Sequence, residues 1–387
     1  MNPEAKLNIL SKIDSDRPAG YQYFKILSDH LGNDLTRIFN GELVYPRQIE
    51  IHLPGDGKKH CNFSCLWCQG NLLDRALGSH EEELLKLLEQ LKGKKIHYVV
   101  QGGNYSEPLL NPYALDVVKI AKLDLKASYG IHTNGSVLLE LEKKQSFLSE
   151  LNRLATSKED FLSISLDAGT VKSHMRGHNL DVNWFDTIIE GIRAISEMRG
   201  DSPIPAIRIC YLLNKFNSSR EELEGIVGIA KELKVNSVKF SVPYDLYGKD
   251  FDRVRSYKKK IEIVKDREYR ERLRALITSP EDKTHVFYLS PFTQDVDRMN
   301  FKQCIYGYFQ ISAGADGYWY KCSSTATPSF KFNRAGRITS NIEQFHKAIL
   351  VNQNPNFDAA TCFRVGGRCN RMALDCNTAW ARINENE

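Results

Sequence analysis

The segment CNFSCLWC, residues 61–68, sets three cysteines at spacing C-x3-C-x2-C behind an apolar run, QIEIHL (48–53). Four thiolates would close a tetrahedral metal site. Three leave one position for something else. The run reads as a β-strand that leads straight into the cysteine loop, so the thiols sit at the strand's C-terminal end. In parallel α/β folds that end carries the chemistry.

Outward from this loop the chain alternates strands with amphipathic helices. SHEEELLKLLEQLKGKK carries a leucine stripe at Leu84, Leu87, Leu88 and Leu91, a capping box at Ser79 and Glu82, and Gly93 as its stop. IHYVVQGG (96–103) is the next strand, and Asn111-Pro112 opens the helix that follows it. YGIHTNG, FLSISLDAG, AIRICYLLN and VNSVKFSVP complete the set of strands. WFDTIIEGIRAISEM and SREELEGIVGIAKEL are helices between them, the second with a capping box from Ser219 to Glu222. Six strand-then-helix units predict an α/β fold with a parallel sheet, too short for a closed eightfold barrel. The expectation is a partial (β/α)6 TIM-like barrel over 48–250, after an N-terminal helical extension at 1–47. A densely charged helical linker follows at 251–300, then a small α+β domain at 301–387.

Composition narrows the class. The 387 residues carry 53 basic and 48 acidic side chains, net +5, too weak a bias to argue for a nucleic-acid binder. No signal peptide and no run of ~18 apolar residues is present, so a cytoplasmic protein with no membrane partner is expected. Nine cysteines in a reducing compartment need a reason other than disulfides. Cys210, in IRICYLL, reads as a core thiol; the other eight fall at 61–68 and 304–376.

C-x3-C-x2-C on the loop after the first strand of a (β/α)6 run resembles the radical S-adenosylmethionine (radical SAM) superfamily. The resemblance implies that Cys61, Cys65 and Cys68 ligate a [4Fe–4S] cluster whose open iron binds S-adenosylmethionine. It further implies reductive cleavage to a 5′-deoxyadenosyl radical, which abstracts a substrate hydrogen atom. Trp67 matches the aromatic residue near the adenine. Gly102 and Gly103 match the glycine pair after the second strand, with Glu107 as its acid, displaced by the inserted Asn104, Tyr105 and Ser106. Asn104 is the alternative to Glu107. Ser165 and Asp167 match the fourth-strand pair, and Arg176 matches the arginine for the cofactor carboxylate. Asn134 and Asn214 are further candidates, each equally readable as a turn residue. His132, His174 and His178 lie near the same mouth as structural histidines or proton carriers. The competing reading of the loop is a zinc knuckle completed by His60 or a distant ligand.

C-x12-G-x4-C, from Cys304 through Gly317 to Cys322, resembles the opening of SPASM or twitch auxiliary-cluster regions, on a hairpin turning at Asp316-Gly317. Cys362, Cys369 and Cys376 follow at C-x6-C-x6-C. Five cysteines imply one auxiliary [4Fe–4S] cluster held by four of them, the spare thiol among the last three being a possible hydrogen-atom donor. Structural zinc is the alternative there.

The resemblance therefore implies a radical oxidoreductase, oxidising or epimerising a polar small molecule of sugar or aminocyclitol type. It would draw electrons from a flavodoxin- or ferredoxin-type donor. The alternative is a maturase that crosslinks, epimerises or cleaves a ribosomal peptide. RNA modification and a non-enzymatic Fe–S or zinc scaffold rank behind both.

Overall fold

A computed structural model describes residues 34–56, 60–68, 79–102, 106–241, 267–279, 281–289 and 304–357. Gly103, Asn104, Tyr105, Cys362, Cys369 and Cys376, and most of the expected 1–47 extension and 251–300 linker, lie outside the described residues. In chain order the elements are α1 (Asp34–Phe39), β1 (Gln48–Ile51), α2 (Glu81–Gln90), β2 (Tyr98–Gln101), α3 (Ala114–Lys119), β3 (Ser128–Thr133), α4 (Leu138–Gln145) and α5 (Phe147–Leu154). They continue with β4 (Phe161–Ser165), α6 (Val171–His178), α7 (Phe185–Arg199), β5 (Ala206–Leu212), α8 (Arg220–Glu232), β6 (Ser237–Ser241) and β7 (His285–Leu289). The last are α9 (Tyr306–Phe309), β8 (Gln310–Ala313), β9 (Tyr318–Tyr320), β10 (Arg334–Arg337) and α10 (Ile342–Asn352).

All six strands expected from the sequence are present, and helices fill the gaps between them. The chain divides into two compact units. The first takes Met1–His60, Leu73–Gly130 and Gln294–Glu387; the second takes Cys61–Leu72 and Ile131–Thr293. The division falls inside β3 and also cuts out the cysteine loop.

In the first unit β1 lies between β2 and β8, parallel to both. The hairpin β8–β9 and the antiparallel β10 therefore extend the sheet of β1 instead of forming a sheet of their own. The turn spans Gly314 to Gly317, closed by Gly317 N–H to Gly314 O at 3.0 Å, with Gly317 at φ +79°. That left-handed position is where glycine is free of Cβ strain. α2 buries the expected leucine stripe, Leu84, Leu87, Leu88 and Leu91 at 0% exposure. Its capping box does not form. The helix starts at Glu81 with His80 as N-cap and no side-chain cap bond, which leaves Ser79 one residue too early.

In the second unit β4, β5, β6 and β7 are consecutive parallel neighbours. β7 is a strand the sequence reading did not anticipate. One sheet face is apolar, with Ile164, Ile209, Val238 and Phe240 at 0% exposure, and α8 packs on β6. Each such side chain contributes about 1.5–3 kcal/mol by leaving water. At the head of α8 the second box is half formed. Ser219 Oγ accepts from Glu222 N at 3.3 Å, while the Glu222 carboxylate turns away to α6.

Candidate active site

The cysteine loop of the second unit is fixed from two sides. Ser64 N–H donates to His178 O at 3.3 Å and Leu66 N–H to Gly177 O at 3.1 Å, so its backbone uses carbonyls at the C-terminal end of α6. On the other side Asn134 Nδ2 donates to Asn62 Oδ1 (2.8 Å) and lies 3.7 Å from Cys61 Sγ. Asn62 in turn donates to Ser136 Oγ at 2.8 Å, and Ser136 Oγ donates to Asn134 Oδ1 at 2.7 Å. Asn134 thus holds the loop that bears the cysteines.

Burial pushes the Cys65 thiol up, and the neighbouring Cys68 and Cys61 push it further. A coordinating metal centre reverses that balance, because a bound thiol is deprotonated outright. The donor set is three soft sulfurs, suited to an iron–sulfur cluster or zinc. Among the described residues no three His, Cys, Asp or Glu groups converge as ligands of a single ion. A cubane, by contrast, takes each cysteine on a separate iron.

Cys65 Sγ lies 2.9 Å from His178 Nδ1. The other ring nitrogen lies 3.2 Å from Leu166 O, a pure acceptor, so Nε2 carries the proton and Nδ1 accepts from the thiol. Burial lowers His178 to about 4 and His174 to about 3, so both rings are neutral at pH 7. Phe63 packs edge-on against His174, and the Trp67 ring lies 5.2 Å from that of His178. The Trp67 ring also covers Gly177 so closely that a Cβ there would sit 2.5 Å from Cη2. Of the expected adenine neighbour the structure shows this face: an indole seated on the end of α6.

Asp167 follows β4 at φ +51° and is 2% exposed. Its carboxylate accepts Leu212 N–H at 2.5 Å, and burial raises it to about 7. Ser165 is half-buried and Arg176 is exposed on α6. Asn214 is a turn residue, its side chain accepting Phe216 N–H at 2.8 Å.

The first unit holds the remaining candidates. Glu107 is 2% exposed; its carboxylate accepts Leu109 N–H at 3.0 Å, capping the short turn Pro108–Leu110. Its own N–H donates to His60 O at 2.7 Å. Gly102 has no room for a side chain, since a Cβ would meet Glu50 Oε1 at 2.7 Å and the His52 ring at 2.9 Å. Glu50 and His52 form a buried acid–imidazole pair, 3.6 Å apart, that the sequence reading missed. The signal was present in QIEIHL: alternate positions of a strand buried on both faces carry Gln, Glu and His. Cys304 lies just before α9 and Cys322 just after β9, both half-buried.

The comparisons bear on this arrangement. Residues 59–222 match the Radical SAM superfamily model. Over these residues the chain is similar to a radical SAM domain. Among solved structures, SuiB of Streptococcus suis matches at 16% identity and TM-score 0.51, over 78% of this chain and 65% of its own. SuiB bound to S-adenosylmethionine gives 0.52 at 16% identity, over 79% and 66%. anSMEcpe with bound AdoMet gives 0.50 at 14% identity, over 88% and 96%. The chain thus spans about two thirds of the length of SuiB. No curated protein matches the chain. At these identities the likeness shows the fold, the partial (β/α) barrel of radical SAM proteins. No described helix is long and apolar enough to cross a membrane.

Proposed function

We propose that the chain is a radical SAM oxidoreductase in which Cys61, Cys65 and Cys68 hold the [4Fe–4S] cluster. The observation that carries this reading is the cysteine loop pinned by Asn134 and the α6 carbonyls, with Cys68 and Cys61 close enough to push the buried Cys65 thiol up. When bound, the cluster and S-adenosylmethionine supply a carbon radical that takes a hydrogen atom from the substrate. The protein's own part is position. Asn134 and the α6 carbonyls fix the loop, and His178 and Phe63 wall the Cys65 side. Trp67 offers an aromatic face, Gly102 a backbone without a side chain, and Ser165, Asp167 and Glu107 offer oxygens. The exposed Arg176 is the cation for the cofactor's carboxylate. Cys304 and Cys322, with two of Cys362, Cys369 and Cys376, hold one auxiliary [4Fe–4S] cluster that accepts the electron left on the substrate. A flavodoxin- or ferredoxin-type protein supplies the reducing electron.

The substrate we favour is a polar small molecule, oxidised or epimerised. A precursor peptide is the second reading: SuiB has been solved bound to precursor peptide SuiA, and anSMEcpe with the Cp18Cys peptide. The test is 5′-deoxyadenosine formation after anaerobic reconstitution, with wild type beside Cys61→Ala, Cys65→Ala and Cys68→Ala. Each variant is expected to form none. Wild-type levels in any of them would end the assignment of that cysteine.

A further inference from the structure

Strand alternation sorts β4, β5 and β6 onto two faces, and they differ in kind. A parallel sheet buried for structure alone is apolar on both sides. Here one face is apolar, while the other carries polar side chains in register across the strands. Ser163, Arg208 and Ser237 form one row, closed to solvent at 1%, 2% and 3% exposure. The Arg208 guanidinium lies 4.0 Å over the Phe161 ring. The next row toward the C-terminal ends is Ser165, Cys210 and Lys239, and all three are half-buried. The face thus opens between one row and the next. Lys239 is the cation of the open row, and Arg208 backs it from the closed one. Asp167, beyond Ser165, is held by the Leu212 amide and feels the Lys239 charge.

We propose that the row Ser165–Cys210–Lys239 is a carboxylate subsite, with the Lys239 ammonium as the charge partner and the Ser165 and Cys210 side chains flanking it. A cation on a half-buried polar floor, backed by a second cation, favours an anion there. The use of this subsite for the substrate rests on the radical SAM reading; its chemistry does not.

The test uses the full chain, reconstituted anaerobically, and maps alkylation of Cys210 by mass spectrometry. Iodoacetate carries a carboxylate and iodoacetamide does not. The ratio of their rates at Cys210 is expected to fall about tenfold in Lys239→Gln and to hold in Lys239→Arg. A ratio equal in wild type and Lys239→Gln, or a folded wild type whose Cys210 neither reagent reaches, overturns the proposal. Free glutamate and a triglutamate peptide then separate the two sources of a carboxylate. Protection of Cys210 by free glutamate assigns a small acid; protection by the peptide alone assigns a peptide; protection by neither overturns the subsite. 5′-Deoxyadenosine measured on the same wild-type preparation reports on the radical reading separately. Its absence would sink that reading and leave the labelling result standing.

Discussion

At the scale of single residues, one glycine and one carboxylate carry the sharpest consequences. Gly177 sits inside α6, where alanine would ordinarily stabilise a helix by about 0.5–1 kcal/mol. Here the added methyl meets the Trp67 ring, and overpacking of that kind costs about 1–3 kcal/mol. Gly177→Ala is therefore expected to displace the indole and the cysteine loop with it. Lower iron uptake on reconstitution and a shifted tryptophan emission would show it; a variant more stable than wild type with full iron would refute the contact. Glu50 makes a prediction in pH. Burial raises its pKa to about 7 from an ordinary 4.5, against a smaller opposing bond to Ser323. The native state then holds a proton that the unfolded chain releases. Its contribution, about 3 kcal/mol at most, is complete below pH 4.5 and lost as pH rises through about 7. His52, lowered to about 4, runs oppositely and loses stability as pH falls from 6.5. Glu50→Gln removes the carboxylate's own titration while His52 stays in place. The variant should gain on wild type between about pH 5 and pH 8 in urea titrations, and a constant difference would show that Glu50 is ionised throughout.

Among elements, α6 is the one on which the cysteine loop depends, and Glu222 of α8 holds its start. The Glu222 carboxylate accepts from Gly169 N–H at 2.7 Å, Thr170 Oγ1 at 2.6 Å and Ser173 Oγ at 2.5 Å. Glu222→Ala leaves three donors without that acceptor and should cost about 2–4 kcal/mol, read as a lower urea midpoint. Because the far end of α6 supplies the carbonyls for Ser64 and Leu66, iron retention should fall as well. Iron retention unchanged at lowered stability would show that the two ends of α6 are independent. This network also marks what the sequence could and could not convey. Period and β-branched runs located all six barrel strands, because burial of one apolar face is written locally. Ser219 and Glu222 read as a reciprocal box, yet only the serine half is local; the glutamate is drawn off by donors 49 to 53 residues away in sequence. Ser79 and Glu82 failed for a smaller reason, a helix that begins one residue late. Likewise Asn134, readable as a turn residue or a cofactor contact, anchors the loop through Asn62, a pairing across 72 residues that no spacing announces.

For the molecule as a whole, the question is how many clusters one chain carries. The sequence order suggested a barrel followed by a separate cysteine-bearing domain. Instead β8 pairs in parallel with β1 along Gln48–Ile51, so Cys304 and Cys322 flank strands of the first unit's own sheet. Long-range parallel pairing of this kind has no local signature, which is why the hairpin was legible and its docking was not. The pairing makes a test by subtraction informative. Cys322→Ala removes a thiol next to β9 while leaving the cysteine loop, its Asn134 clasp and α6 untouched in the second unit. If the chain holds two cubanes, wild type should carry about eight iron atoms and as many sulfides, and the Cys61/Cys65/Cys68 triple alanine variant about four. Cys322→Ala should also carry about four, and should still form 5′-deoxyadenosine while product formation stops. About four irons in wild type and none in the triple variant would leave no auxiliary electron acceptor. Redox-neutral chemistry such as epimerisation would then replace oxidation. Zinc in place of iron at the loop would overturn the radical assignment itself.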